Sequence, residues 1–222
     1  MKRYLTVVLL FACTLQSCLP SKMNKWVAHH YRDSPAESPH RKSDQITVLS
    51  KFPDFGIALS HTEKNTSHLL PLLFYWQYDY KVTCTLNPQI AVNHVMAGVL
   101  PYSLKLKQKL NGGRVELTIE QLPHIFAVDD KGHIIWVILY AFGWDFLTIQ
   151  PQTNDMVVSY RVLDAQGQEV KTGTLTVPDA NKGVSLKVLQ SVRRMTMDYL
   201  DAYDATINMM TKKCMDQLVG QL

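Results

Sequence analysis

The chain has little cysteine and no concentrated positive charge. Its 222 residues include four cysteines, and charged side chains make up 19% of the sequence. No two cysteines have the C-x-x-C spacing that is typical of zinc and redox sites. The formal net charge is only +4, and no block of five or more basic residues occurs. Because nucleic acids are bound by clustered Lys and Arg side chains, we expect no nucleic-acid partner.

Sequence motifs of the common catalytic and cofactor sites are missing as well. The chain has no G-x-S-x-G nucleophile elbow, no phosphate-binding P-loop and no G-x-G-x-x-G dinucleotide motif. Its eight histidines include no H-E-x-x-H pair. We therefore predict a non-catalytic protein with no catalytic residue, no metal ligand and no cofactor. An exported hydrolase with a dispersed active site stays open as an alternative, because distant residues leave no local motif.

Long apolar runs are also scarce. Residues 4–12 form one such run, which follows Lys2 and Arg3. Its length suits the core of a signal peptide and is too short to span a bilayer. No later run reaches about 18 apolar residues, so the sequence predicts no second membrane segment.

The end of this N-terminal segment has a recognisable pattern. Leu15-Gln16-Ser17-Cys18 places a small residue directly before a cysteine. The pattern resembles the lipobox of bacterial lipoproteins, in which signal cleavage leaves a lipid-modified cysteine at the new N-terminus. The resemblance implies a signal peptide at residues 1–17, lipidation of Cys18 and attachment to a membrane through that lipid. An acidic residue directly after the cysteine would resemble an inner-membrane retention signal, but this position is Leu19. The resemblance therefore favours an outer-membrane position facing the periplasm.

The following segment predicts a polar spacer. Residues 19–44 contain two Ser-Pro pairs, many charges and only scattered apolar residues. Such a composition buries too little apolar surface to offset the entropy of ordering. We predict a lipidated, poorly ordered tether over residues 18–45, followed by a single domain over residues 46–222.

The clearest strand signal lies within residues 73–86. Apolar and polar residues alternate there, and this period of two is typical of a strand with one buried face. The apolar face carries Phe74, Trp76, Tyr78, Tyr80, Val82, Cys84 and Leu86. The four aromatic residues have two interpretations at this point. They pack in the core, or they line a groove for a protein partner or for an apolar ligand that the protein carries.

The rest of the domain combines helices with strands. Asn87-Pro88 is a helix start, with Asn as the N-cap and Pro in the first turn, and predicts a helical region at about 88–110. An apolar residue every three or four positions predicts a long helix at about 184–219. The intervening patterns predict strands, with a polar loop at 61–68, a turn at 129–132 and a doubly buried strand at 133–140. The predicted fold class is α+β, a mostly antiparallel sheet packed by these two helical regions.

Two cysteines remain after the predicted processing. Cys84 lies on the apolar face of the predicted strand, and Cys214 lies in the apolar stripe of the C-terminal helix. An export compartment permits a disulfide bond between them. Two buried free thiols are the other interpretation, since unpaired cysteine behaves as a small hydrophobic residue.

A wider resemblance covers residues 117–179. The segments 123–126, 133–136, 140–144 and 159–163 resemble those of uncharacterised envelope lipoproteins of Bacteroidota type. In layout, the chain is similar to small envelope lipoproteins that assist transport machines. The resemblance implies a non-catalytic binding or accessory module with an envelope protein as partner. It transfers no functional residue.

Overall fold

The structure is a computed structural model that describes residues 18–32, 45–70, 75–137 and 140–222. The α-helices are α1 (Cys18–His30), α2 (Pro88–Val99), α3 (Ser103–Leu110) and α4 (Val192–Gln221). The strands are β1 (Ile46–Ser50), β2 (Leu59–Leu70), β3 (Tyr75–Leu86), β4 (Arg114–Gln121), β5 (Ile125–Val137), β6 (Tyr140–Pro151), β7 (Met156–Leu163), β8 (Glu169–Val177) and β9 (Val184–Ser185). The predicted signal peptide at 1–17 lies outside the described residues.

The strands form two sheets. One is four-stranded with the order β1-β4-β7-β8, and only its β1–β4 pair is parallel. The other is five-stranded with the order β2-β3-β5-β6-β9, and its neighbouring strands are all antiparallel. With the helices, these sheets give an α+β fold, so the predicted fold class is confirmed.

Helix α4 connects the two sheets. The side chain of its N-cap residue, Ser191, accepts a hydrogen bond from the backbone of Arg194. Near this end, the Tyr199 ring packs on Phe126 of the five-stranded sheet, with 5.0 Å between ring centroids. At the far end, Gln221 accepts a 2.8 Å hydrogen bond from Tyr160 of the four-stranded sheet. The helix begins later than predicted, because residues 184–185 pair with β6 as strand β9.

The other predicted helical region is confirmed. Asn87 caps α2 by accepting a 3.0 Å hydrogen bond from the backbone of Gln89. Pro101 falls in a short 3₁₀ turn, Leu100–Tyr102, that separates α2 from α3. Asn111 ends α3 in the left-handed conformation, with φ at 48°. These are local rules of helix capping, and they act at the predicted positions.

The predicted tether is wrong for residues 18–32. Helix α1 begins at Cys18 and packs on α4 and β2. Met23, Val27 and Tyr31 are buried, and their spacing of four places them on one side of a helix. One buried apolar residue per turn is enough to stabilise this helix, because Met23, Val27 and Tyr31 pack against the rest of the domain. Residues 33–44 lie outside the described part of the chain.

Three predictions within the five-stranded sheet are also wrong. The predicted polar loop at 61–68 belongs to β2, which pairs with β3 along its whole length. The predicted turn at 129–132 lies inside β5, which runs without interruption between β3 and β6. Pairing on both sides satisfies the backbone of β5, and this overrides the turn preference of its Asp and Gly residues. Residues 133–135 are half-buried and so do not form a doubly buried strand.

Cys84 and Cys214 are buried free thiols. The disulfide interpretation is therefore wrong, and the alternative of two buried thiols is confirmed. The Cys84 thiol lies 3.7 Å from the thioether sulfur of Met23. Burial raises the pKa of the Cys84 thiol to about 12 and that of Cys214 to about 11. Both sulfurs thus act as apolar packing groups that join α1 and α4 to the core.

Candidate binding surface

The five-stranded sheet continues beyond the helices that cover it. We call this part the sheet extension; it consists of β2 residues 61–70, β3 residues 75–79, β5 residues 130–137 and β6 residues 140–146. We call the sheet face with Val82 and Cys84 the inner face, because α1 and α4 pack on it. Residues 61–69 of β2 are exposed on both faces. The extension therefore presents two sheet faces that the core does not fill.

The outer face of the extension carries a stack of three rings from three strands. Tyr75 of β3, His133 of β5 and Trp144 of β6 form this stack. The ring centroids are 6.0 Å apart for Tyr75 and His133, and 5.3 Å apart for His133 and Trp144. The Tyr75 hydroxyl is 2.5 Å from Nδ1 of His133. Stacking and hydrogen bonding together fix the orientation of the rings.

Large apolar side chains are exposed around this stack. Phe142 is 60% exposed, Phe146 is 59% exposed and Trp144 is 43% exposed. These three residues alternate along β6, so they point to the same face. Leu69 of β2, which pairs with Trp76, is 62% exposed at the same end of the sheet but on the inner face. Contiguous exposed apolar groups of this kind are typical of interaction sites.

The inner face of the extension holds a second aromatic group. The Trp76 indole donates a 2.8 Å hydrogen bond to the Ser67 hydroxyl, and its ring lies 5.5 Å from that of Tyr78. The Tyr78 ring covers Gly132 so closely that a Cβ atom at Gly132 would lie 2.1 Å from it. Glycine at this strand position therefore makes room for the ring. The contact fixes Tyr78 against the sheet.

Two carboxyl groups lie beside these rings. Asp130 and Asp145 are on the neighbouring strands β5 and β6 and interact through their carboxyl groups, while the Oδ1 atom of Asp130 is buried without a hydrogen-bond partner among the described residues. Burial, followed by the hydrogen bond to Asp145, raises the pKa of Asp130 to about 7. Burial is also the main cause that raises the pKa of Tyr78, followed by Asp130 and Asp145. Burial, with the second carboxyl group beside it, therefore favours the protonated form of Asp130 near neutral pH.

The predicted aromatic row divides along the strand. Tyr80 is buried in the core, whereas Trp76 and Tyr78 are half-buried on the inner face of the extension. Phe74 lies outside the described residues. The structure thus brings Trp76 and Tyr78 together at the extension and assigns Tyr80 to packing. A ligand or partner groove along this row stays a prediction.

The outer aromatic residues were missed by the sequence reasoning. Phe142, Trp144 and Phe146 alternate in the sequence, and this period of two predicts a common strand face. Tyr75 lies on the face of β3 that was taken as polar. The turn predicted at 129–132 divided β5 in the sequence analysis and so hid the pairing that brings His133 between Tyr75 and Trp144.

A separate polar cluster surrounds Asp204 on α4. Its carboxylate lies 3.3 Å from the Nε2 atoms of both His30 and His94, and it accepts a 2.9 Å hydrogen bond from Tyr31. These partners come from α1, α2 and the residue that follows α1. The hydrogen bond to Asp204 raises the pKa of His94, although burial opposes the shift. The cluster therefore joins three helices through one carboxylate.

In the described part of the chain, no group of three or more His, Cys, Asp or Glu side chains has an arrangement that holds a metal ion. None of the helices in these residues combines the length and the apolar character needed to cross a bilayer.

Comparison of the chain with family models, with curated proteins and with solved structures finds no match in any of the three.

Proposed function

We propose that the chain is a membrane-anchored lipoprotein of the cell envelope and acts as a non-catalytic binding module through its sheet extension. The observation that carries the binding role is the exposed aromatic outer face around Tyr75, His133 and Trp144. Lipidation of Cys18 and an outer-membrane position facing the periplasm belong to the same proposal. Their support is the lipobox-like sequence before Cys18.

The construction of the outer face supports binding. Its rings lie on paired strands, so cross-strand hydrogen bonds hold them before any partner arrives. A rigid aromatic surface loses little side-chain entropy when it is covered, which favours affinity. Exposed Phe and Trp side chains are also enriched where proteins meet partners or membrane interfaces. Exposure of three large aromatic side chains to water on one strand face is unfavourable, so a binding role explains them better than solvent exposure does.

The position of Cys18 supports a short link between anchor and module. Helix α1 begins at this residue, and Met23 of the same helix is already buried in the core. A lipid on Cys18 would therefore hold the domain near the membrane surface. The extension then works as the part of the domain that reaches a partner.

Cell fractionation tests the anchor. We expect the unmutated protein in the membrane fraction and the Cys18→Ala variant outside it, with the same circular dichroism spectrum. Retention of the variant in the membrane fraction at an unchanged level would contradict lipid anchoring.

Site-specific photo-crosslinking in cells tests the binding role. A photoreactive amino acid at position 142 should give crosslinked adducts, because Phe142 is exposed on the outer face of the extension. The same group at position 55 is the control, because Phe55 is similarly exposed in the segment between β1 and β2. Equal absence of adducts at both positions would show that the extension binds nothing in the cell.

A further inference from the structure

The end of the sheet extension is free of charged residues. Its last inner row of paired positions contains Leu69, Trp76, Ile134 and Gly143. The neighbouring outer row contains Leu70, Tyr75, Ile135 and Phe142. Positions 136, 137, 140 and 141, which complete β5 and β6, are Trp, Val, Tyr and Ala. Because both faces of the sheet are open at this end, its apolar side chains would be more stable in an apolar environment than in water.

The polarity of the extension changes with distance from this end. The next rows contain the amphipathic side chains of Tyr78, His133 and Trp144, together with the exposed Asp145, which shares a row with Tyr78. Charged residues follow, and those on the outer face form ion pairs between Lys131 and Asp79 at 3.6 Å and between Lys81 and Asp129 at 3.8 Å. Membrane proteins show the same order of residue types across a bilayer interface: apolar residues in the hydrocarbon, Trp and Tyr at the headgroups, and charged residues in water.

The distances along the strands fit such an interface. Val137 pairs with Tyr140 and His133 pairs with Trp144, so four residues, or about 13 Å, separate these rows. If the end rows lie among the upper acyl chains, the Trp144 row lies near the lipid headgroups. In the described residues no strand pairs with the outer edge of β2, nor with β6 over 140–147. Open strand edges are costly in hydrocarbon, so insertion stays shallow, at about 5–10 Å.

The apolar surface is small and lies on both faces, which favours a bilayer over a protein partner. The exposed parts of Phe142, Trp144 and Phe146 amount to roughly 300–400 Å², since a whole aromatic side chain contributes 150–250 Å². A stable protein interface needs about 800 Å² from each partner. Leu69 adds apolar area on the inner face, where a protein that covers the outer face would not reach it. A bilayer surrounds the end from all sides.

We propose that the end of the sheet extension inserts into the interface of a lipid bilayer, with Leu69 and Phe142 among the upper acyl chains and Trp144 at the headgroups. The inference rests on the proposed binding role of the extension and names its partner as lipid. It does not depend on which membrane carries the lipid on Cys18.

Depth-dependent fluorescence quenching tests this insertion on the full chain. The protein is reconstituted in phosphatidylethanolamine and phosphatidylglycerol vesicles that contain lipids brominated near the headgroup or near the acyl terminus. Trp76, Trp136 and Trp144 report on the extension, and all proteins carry Trp26→Phe, because Trp26 lies in α1 near the lipid anchor. We expect stronger quenching by the shallow bromines and at least a twofold loss of that quenching in Phe142→Asp, because a charge replaces an inserted ring. Phe55→Asp, the same change outside the extension, should keep the quenching of the unmutated protein.

The outcomes separate the anchor from the insertion. Cosedimentation with vesicles measures attachment through the lipid on Cys18. Protein that cosediments but shows no quenching would therefore contradict insertion and still support the lipid anchor. Equal quenching in Phe142→Asp and in the unmutated protein also overturns the proposal, provided that urea unfolding midpoints show both to be folded. A photoreactive residue at position 142 should capture lipid. Capture of a protein there, including a second copy of the chain, overturns the lipid proposal while it supports the binding role.

Discussion

Asp130 is a buried carboxyl group of the sheet extension that titrates near neutral pH. Its pKa is raised to about 7 by burial and by the hydrogen bond to Asp145, whereas an unfolded Asp titrates near 3.9. The folded state therefore holds the proton more tightly than the unfolded state. Its contribution to stability is present at acid pH and is lost as the pH rises from about 4 through about 7.

Replacing this carboxyl group should remove the pH dependence. We expect Asp130→Asn to raise the free energy of unfolding by about 1–2 kcal/mol at pH 8, a value reduced from the full shift because water reaches the pair. At pH 5 the variant should differ little from the unmutated protein. Urea unfolding at both pH values measures this, with Asp129→Asn as the control, since Asp129 forms a partly exposed ion pair with Lys81. A gain of the same size at both pH values would contradict the assignment.

Gly132 provides a second residue-scale prediction. A methyl group at this position would overlap the Tyr78 ring, so Gly132→Ala should lower the free energy of unfolding by about 1–3 kcal/mol. Gly143→Ala is the matched control on the neighbouring strand, because the nearest atom to its added Cβ is 3.6 Å away. In the Tyr78→Ala background the cost of Gly132→Ala should largely disappear. If Gly132→Ala lowers the free energy of unfolding by the same amount in the Tyr78→Ala background, the overlap with the Tyr78 ring is not the cause.

At the scale of elements, α1 is held by packing and by the Asp204 cluster. Met23 and Val27 bury its apolar side, and His30 and Tyr31 bind Asp204 of α4. Loss of the Asp204 carboxylate leaves buried donors without an acceptor, which is more costly than losing a surface ion pair. The polar contacts that dock α1 thus depend mainly on the Asp204 side chain of α4.

Asp204→Ala should loosen α1 more than the rest of the domain. We expect a loss of about 1–3 kcal/mol in the free energy of unfolding and faster amide hydrogen exchange over residues 21–31. Asp201→Ala on the same helix is the control, because the Asp201 side chain is 68% exposed and lies 3.9 Å from His30. Equal exchange in the two variants would argue that packing alone docks α1.

The packing of α2 on α4 should also depend on pH, because His94 of α2 lies 3.3 Å from Asp204 of α4. The pKa of His94 is raised by Asp204, so the charged pair stabilises the fold below the ordinary His pKa of about 6.5 and this contribution is lost as the pH rises through the raised pKa. Exchange protection of α2, corrected for intrinsic rates, should therefore be greater at pH 6 than at pH 8. His94→Gln should reduce that difference. If His94→Gln shows the same difference in exchange protection between pH 6 and pH 8, another group causes the pH dependence.

Local rules predicted some elements and failed for others. The Asn87 cap, the Asn111 helix end and the stripe of α4 each depend on neighbouring residues, so the sequence alone located them. Helix α1 and the full lengths of β2 and β5 depend on surfaces and pairing partners that are distant in the sequence. For the candidate surface, the alternation placed Trp76 and Tyr78 on one face. The outer stack could not be found without the strand register that brings His133 beside Trp144.

At the scale of the molecule, the two sheets differ in how they meet water. The four-stranded sheet packs against the C-terminal part of α4, as the hydrogen bond between Tyr160 and Gln221 illustrates. The five-stranded sheet extends past its helices and ends in apolar rows with open strand edges. Such edges and apolar patches promote self-association when no partner covers them.

Without a bilayer, the protein should therefore associate through the extension. We expect Cys18→Ala protein in detergent-free buffer to sediment as larger species with increasing concentration. Phe142→Asp in that background should shift the distribution towards monomer, whereas Phe55→Asp should not. Sedimentation velocity over a tenfold concentration range measures the effect. Concentration-independent sedimentation of the parent variant would contradict it.

The direct start of α1 at Cys18 determines what kind of attachment a lipid there provides. Thirteen helical residues form a rod of about 20 Å, and this rod is docked on the domain. The domain would then pivot about its lipid instead of exploring the wide volume that a loose linker permits. A pivot keeps the module at a high local concentration over a narrow range of orientations. Partners would be selected by the angle at which they lie to the bilayer as well as by their chemistry.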